Sequence, residues 1–305
     1  MDLREMVDEA YGAGLRLVGS GQQARGVPQL AAVPLDRLGV ALATVDGEVI
    51  GAGDCREPFS VQSLSKVFSL ALALAHEGES LWKGVRRQPS SLRYDALVQL
   101  DVDHGVPRNP FVNAGALVVV DRLMAAHRTR SAAAVLELLR AESGNPAIRI
   151  DPRVAESERG ASHRNAAAAL LMASHGRLEH EAAELLDQYV DQCAIAASCV
   201  DVAQAGLFLA RGGRRARGRP PLLPARQVRR LNAVVLTCGT YGAAGDVACE
   251  VGAPVKSGIG GGVLAVFPGH GTVCAWSPGL DEAGNSVAGM AVVEEVADAT
   301  GWSVF

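Results

Sequence analysis

Lysine is nearly missing from this chain. Among 29 basic residues only Lys66, Lys83 and Lys256 are lysine, and arginine serves everywhere else. Arginine stays charged in any protein environment, whereas a buried lysine gives up its proton readily, so lysines this scarce mark places where a titratable point charge matters. A membrane span is also missing: the apolar run Ala71-Leu72-Ala73-Leu74-Ala75 is cut short by His76 and Glu77. Residues 2–10 mix charges throughout and form no apolar signal core, which predicts a cytoplasmic protein. The six cysteines (Cys55, Cys193, Cys199, Cys238, Cys249 and Cys274) include no CxxC and no zinc-type spacing with histidine. They are expected to be buried free thiols, with no metal site and no cofactor implied. His175 and His180, the one close histidine pair, are expected to be solvated. A net charge of −4 exerts no overall pull toward nucleic acid or an anionic membrane. Arg214 to Arg230 is arginine-rich but holds no aromatic residue on which a base could stack, so it reads as a solvated connector.

What is present centres on Phe59 to Leu70, where Ser63 and Lys66 precede an apolar run at helical spacing. Residues three apart share a helix face, so the amine can reach back over the hydroxyl. If Ser63 opens the helix, unpaired N–H groups and the positive dipole end stabilise an oxyanion and push the lysine toward its neutral form. Lys256-Ser257-Gly258 reads like the K-[ST]-G element that accompanies Ser-x-x-Lys enzymes, which places two of the three lysines in paired motifs.

Along the sequence, residues 2–18 have helical periodicity. Leu38 to Val45 is strand-like, Asp46-Gly47 is a hairpin turn, and Val49-Ile50 begins the return. From about 70 to 235 the pattern is helical and alanine-rich, with segments near 131–142, 163–174, 179–192 and 200–211, and Asn113 is a candidate N-cap. Gly262 to Phe267, a Pro268-Gly269 turn and Thr272 to Trp276 form a second hairpin, and a helix from about Ser286 to Thr300 ends the sequence. Strands at both ends around a helical middle predict an α/β (α+β) protein: one antiparallel sheet from the two termini, with a helical insertion beside it. The protein of 305 residues is expected to be a single catalytic unit, with an α/β subdomain from about 1–65 and 225–305 and a helical subdomain over about 66–224.

Over nearly its whole length the chain resembles the serine-dependent glutaminases, which share the β-lactamase/transpeptidase-like fold. The markers are Gln62-Ser63-Leu64-Ser65-Lys66, the run from Asn109 to Ala116, Ser157-Glu158, Arg164-Asn165, and Tyr189 with Gln192-Cys193. They continue with Thr237 to Tyr241, Pro254 to Ile259, Ser277-Pro278 and Gly284 to Ser286. The resemblance implies hydrolysis of L-glutamine to L-glutamate and ammonia without a cofactor, by a homodimer or homotetramer. It implies Ser63 as nucleophile, Lys66 as base, and the N–H groups of Ser63 and Ile259 as oxyanion hole. Tyr241 would lie near Ser63 and share proton transfer or hold the leaving ammonia. Glu158 would face the α-ammonium of the substrate. Asn113, Asn165 and Tyr189 would bind its other polar ends, with Gln62 among the binding residues. Lys256 would border the site and tune its electrostatics.

Three departures stand out. Gly26 takes the place of a tyrosine that gives the active site a hydroxyl in relatives, Gln88-Pro89-Ser90-Ser91 replaces Glu-Pro-Ser-Gly, and Cys193-Ala194 replaces Cys-Ser. Two other readings therefore stay open. One is a catalytically weak glutamine-binding relative. The other is a penicillin-recognising serine hydrolase or transpeptidase, for which Ser143-Gly144-Asn145 could serve as the middle S-x-N element.

Overall fold

The computed structural model describes residues 2–128 and 130–305, without the side chain of Arg217. Strands β1 (Gly39–Thr44), β2 (Val49–Gly53), β6 (Val255–Ser257), β7 (Gly262–Phe267) and β8 (Gly271–Trp276) form one antiparallel sheet in the order β2-β1-β8-β7-β6. Both ends of the sequence supply it, as expected.

Every residue of β1, β7 and β8 is buried, because helices cover both faces of the sheet. Alternation still sorts the side chains, as the period-2 geometry of a strand requires. Val40 and Leu42 pack with Met6, Val7 and Ala10 of helix Leu3–Leu15 and with Val292, Val293 and Val296 of helix Val287–Thr300. Ala41 and Ala43 face the opposite cluster, which includes Val202 and Ala203 of helix Cys199–Ala210. The two terminal helices touch at Gly14, where a Cβ would stand 2.6 Å from Val292 Cγ2. Caps fix their starts: Asp2 accepts from the Arg4 N–H and Ser286 from the Gly289 N–H.

The helical middle differs from expectation in one respect. Strands β3 (Phe59–Ser60), β4 (Arg149–Ile150) and β5 (Ile195–Ala197) pair as a second, three-stranded antiparallel sheet in the order β3-β5-β4. These strands are two or three residues long. Segments so short carry no readable periodicity, and only tertiary pairing defines them.

Several other expectations need correction. Asn113 does not cap its helix, Asn113–His127; Val112 occupies the cap position, and the Asn109 side chain accepts from the N–H groups of Phe111 and Val112. His180 is not solvated: its Nδ1 lies 2.9 Å from the fully buried carboxylate of Asp121. Arg215, within the arginine-rich loop, bonds buried Glu142 at 2.6 Å instead of being solvated. All six cysteines are free thiols, but Cys249 is exposed and Cys55 only half-buried. Ser143-Gly144-Asn145 ends helix Ser131–Ser143 and ties to Asp201 through Asn145, so those residues serve the helix terminus.

Among the described residues, no helix is long and apolar enough to cross a membrane.

Candidate functional site

Ser63 lies in a 3-10 turn, Gln62–Leu64, at the entrance to helix Ser65–Glu77. Gln62 has φ +47°, a left-handed conformation that costs a non-glycine residue about 1–3 kcal/mol unless its surroundings enforce it. They do: Ser65 Oγ donates to the Gln62 carbonyl at 2.6 Å, and Gln192 Nε2 donates to Ser65 Oγ at 3.2 Å. The Gln62 amide itself donates 3.0 Å to Ser60 Oγ and 3.0 Å to Glu158 Oε2. The strained turn thereby presents Ser63, 8% exposed, beside the segment that follows β6. A Cβ at Gly258 would stand 3.2 Å from the Ser63 nitrogen, so only glycine allows this approach without adjustment.

Lys66, on the first turn of the helix, is 1% exposed. Its Nζ donates to Asn113 Oδ1 at 2.7 Å and to the Phe111 carbonyl at 3.2 Å, both from the segment that begins helix Asn113–His127. Burial lowers its pKa to about 8, while Cys193 and Glu158 pull the other way. Asn113 passes the network on, donating to Asn165 Oδ1 at 2.9 Å and accepting from the Tyr189 hydroxyl at 3.2 Å.

Glu158, on helix Pro152–Ala161, is 8% exposed. Burial raises its pKa to about 7, and the hydrogen bond from Gln62 and the charge of Lys66 moderate the rise. Tyr241 also has a left-handed backbone, φ +58°. Burial pushes the pKa of its hydroxyl up, and the nearby Ser63 side chain partly offsets the rise. The hydroxyl donates to the Ser257 carbonyl at 3.4 Å. Lys256 is fully buried with Nζ 4.2 Å from the Tyr241 ring centroid, and it donates to Gly239 O at 2.7 Å and Ser257 O at 2.5 Å. Burial holds its pKa well below the usual lysine value, with Lys66 adding to the effect.

These groups meet at a cavity of about 500 Å³. Asn113, Glu158, Asn165, Tyr241, Ile259 and Gly26 line it. Gln62, Lys66 and Tyr189 are buried against that wall, each bonded to one of its residues, and Ser63 is buried beside Tyr241. All the residues that the resemblance assigns to the site are thus brought together, including Lys256 beneath Tyr241, whereas Lys83 is exposed and does not line the cavity. Gly26 is exposed on the rim, and a Cβ there would meet nothing within 4 Å.

Two contributors escaped the sequence reading. Tyr94 lines the cavity, packs its ring 4.9 Å from that of Tyr241 and accepts the Asn113 N–H at 2.8 Å through its carbonyl. Asn285 accepts from Ser257 Oγ at 2.5 Å, fixing the strand beside Tyr241. The scarcity of tyrosine, four in the whole sequence, was the available signal for Tyr94. Asn285 stood within a recognised marker but carried no readable role.

The family model described as Glutaminase matches residues 21–305. A glutaminase of Streptomyces coelicolor is 56% identical over 291 residues, covering 95% of this chain and 94% of that protein. A glutaminase of Agrobacterium fabrum is 45% identical over 305 residues, covering 100% and 99%. Among solved structures, the probable glutaminase ybaS superposes with a TM-score of 0.94 at 36% identity, covering 100% of this chain and 99% of that one. A Bacillus glutaminase superposes with a TM-score of 0.90 at 29% identity over the full length of both proteins. The fold is therefore the β-lactamase-like α/β architecture of those enzymes, and the chain belongs to the glutaminase family.

Proposed function

We propose that this protein hydrolyses L-glutamine to L-glutamate and ammonia through an acyl-enzyme on Ser63. Ser63 Oγ attacks the carboxamide carbon of the substrate, and its proton passes to the Lys66–Tyr241 pair. The developing oxyanion is met by the N–H groups of Ser63 and Ile259, donors of a kind worth about 2.7–4 kcal/mol each. The C–N bond then breaks, the same pair returns the proton to the departing ammonia, and water hydrolyses the ester to release glutamate. Glu158 receives the α-ammonium, Asn113, Asn165 and Tyr189 take the remaining polar ends, and Gln62 holds Glu158 in place. Lys256 supports Tyr241 from below.

The observation that carries this reading is the buried Lys66 amine, anchored 2.7 Å from Asn113 with its pKa brought to about 8. An amine so placed is partly neutral near physiological pH and still has a proton position left for exchange. Ammonia release by the purified protein, compared with Ser63→Ala and Lys66→Ala, tests it. Activity in the parent that vanishes in both variants supports the reading.

Gly26 favours a second reading, a glutamine-binding protein of low activity, because no side chain at that rim position offers a hydroxyl. Glutamine that raises the melting temperature without releasing ammonia would select it.

The assembly is proposed to be a homodimer or homotetramer, supported by the apolar side chains of Val98, Val102 and Leu170, each more than 60% exposed. Sedimentation of Val102→Glu beside the parent tests this. A cytoplasmic location is proposed from six thiols that stay unpaired, and cell fractionation checks it.

A further inference from the structure

The cavity is larger than the proposed substrate. L-Glutamine has about ten non-hydrogen atoms, and even at the share of liquid volume held by a water, about 30 Å³ each, it fills about 300 Å³. Against a cavity of about 500 Å³ this leaves room for several more atoms. Part of the surplus lies where Gly26 has no side chain, since a Cβ there would meet nothing within 4 Å.

The chemistry around the surplus space is specific. The groups assigned to the polar ends of glutamine other than its ammonium are the amides of Asn113 and Asn165 and the phenol of Tyr189. These are neutral groups whose N–H and O–H donors can serve either a peptide carbonyl or a carboxylate. Two of the arginines that line the cavity, Arg93 and Arg164, are both engaged by Asp95, at 3.2 and 2.9 Å. Arg25 also lines the cavity, is exposed beside Gly26, and has no ion pair among those found in the described residues. Asp281 and Glu282 also line the rim, directly after Leu280, which pairs with Gln22. Glu158 is the one buried carboxylate in the wall, so the free ammonium remains a requirement.

We propose that the site also accepts glutamine as the first residue of a dipeptide, with the second residue in the space left by Gly26 and its carboxylate on Arg25. The inference rests on the glutaminase reading of Ser63 and changes none of its chemistry. The carboxamide C–N bond of the glutamine residue breaks, ammonia leaves, water supplies the hydroxyl, and the peptide bond stays intact.

The test is ammonia release from L-glutaminylglycine beside L-glutamine, with the product identified by mass. The expected product is glutamylglycine, formed with kcat/KM within about tenfold of that for glutamine. Gly26→Phe should lower the dipeptide-to-glutamine ratio of kcat/KM at least about tenfold by filling the space. Arg25→Gln should lower it about three- to tenfold, and that loss should disappear with L-glutaminylglycinamide, which lacks the carboxylate. Hydrolysis of glutamine with none of the dipeptide overturns the proposal and leaves the glutaminase reading standing. Dipeptide hydrolysis with ratios unmoved by either variant overturns the placement of the second residue. Failure of both substrates overturns the glutaminase reading itself, and the proposal with it.

Discussion

The Nζ of Lys66 stands 2.7 Å from Oδ1 of Asn113, a partner 47 residues further along the sequence. Burial alone drives the amine toward neutrality, and this neutral acceptor orients it without restoring its charge. The kcat/KM for glutamine is therefore expected to rise with pH along a limb centred near 8, as Lys66 loses its proton. Asn113→Asp places a carboxylate at the same position, favours the charged amine, and should move that limb upward by at least about one pH unit. A pH–rate profile of both proteins checks this, and a limb that stays put would contradict it.

Glu158 gives the opposite sign in stability. Its folded pKa, about 7, lies above the ordinary 4.5, so the folded state binds the proton more tightly. The stability it contributes is present below pH 4.5 and is lost as pH rises through 7. Glu158→Gln should therefore raise the melting temperature at pH 8, by at most about 3 kcal/mol of stability, and bring no such gain at pH 4. The same variant should raise KM about ten- to hundred-fold if Glu158 meets the ammonium as proposed. Thermal melts at the two pH values, with kinetics at pH 8, separate these effects.

Lys256 holds two carbonyls beneath Tyr241, those of Gly239 and Ser257. Lys256→Met keeps the apolar stem and leaves both acceptors buried without that donor, at about 1–3 kcal/mol each. Urea denaturation should show the loss of stability. A kcat that falls while KM for glutamine holds would identify Lys256 as a positioning residue for Tyr241.

Gly115 tests the backbone frame of the site. A Cβ at this position would lie 1.9 Å from the Asn109 carbonyl oxygen, which is backbone and cannot swing aside. Gly115→Ala should push helix Asn113–His127 away from the Asn109 turn and disturb the placement of Phe111 O and Asn113 against Lys66. The expected cost is at least about 1–3 kcal/mol, with a larger loss in kcat. Normal stability with normal activity would contradict it.

What could be read from the sequence divides by range. Ser63 and Lys66 were legible because one helical turn fixes their relation, and lysine is otherwise nearly absent. The hairpin at Asp46-Gly47 was legible because turn chemistry is local. Asn113 read as a cap, since in isolation an asparagine before an apolar helix does cap it. Only the approach of that helix to Lys66 gives its side chain another use, and Asn109 takes over the turn. His180 read as solvated because its partner, Asp121, lies 59 residues earlier in the middle of helix Asn113–His127. The strands β3, β4 and β5 were illegible for the same reason: each exists only in contact with a distant one.

The most direct test of the central claim is rapid-quench mass spectrometry of the protein mixed with L-glutamine, beside the same experiment on Ser63→Ala. A glutamyl ester mapped to the peptide that carries Ser63, forming and decaying in step with ammonia release and absent from the variant, is the expected result. Ammonia release by Ser63→Ala within tenfold of the parent rate, with no adduct in either protein, would contradict it.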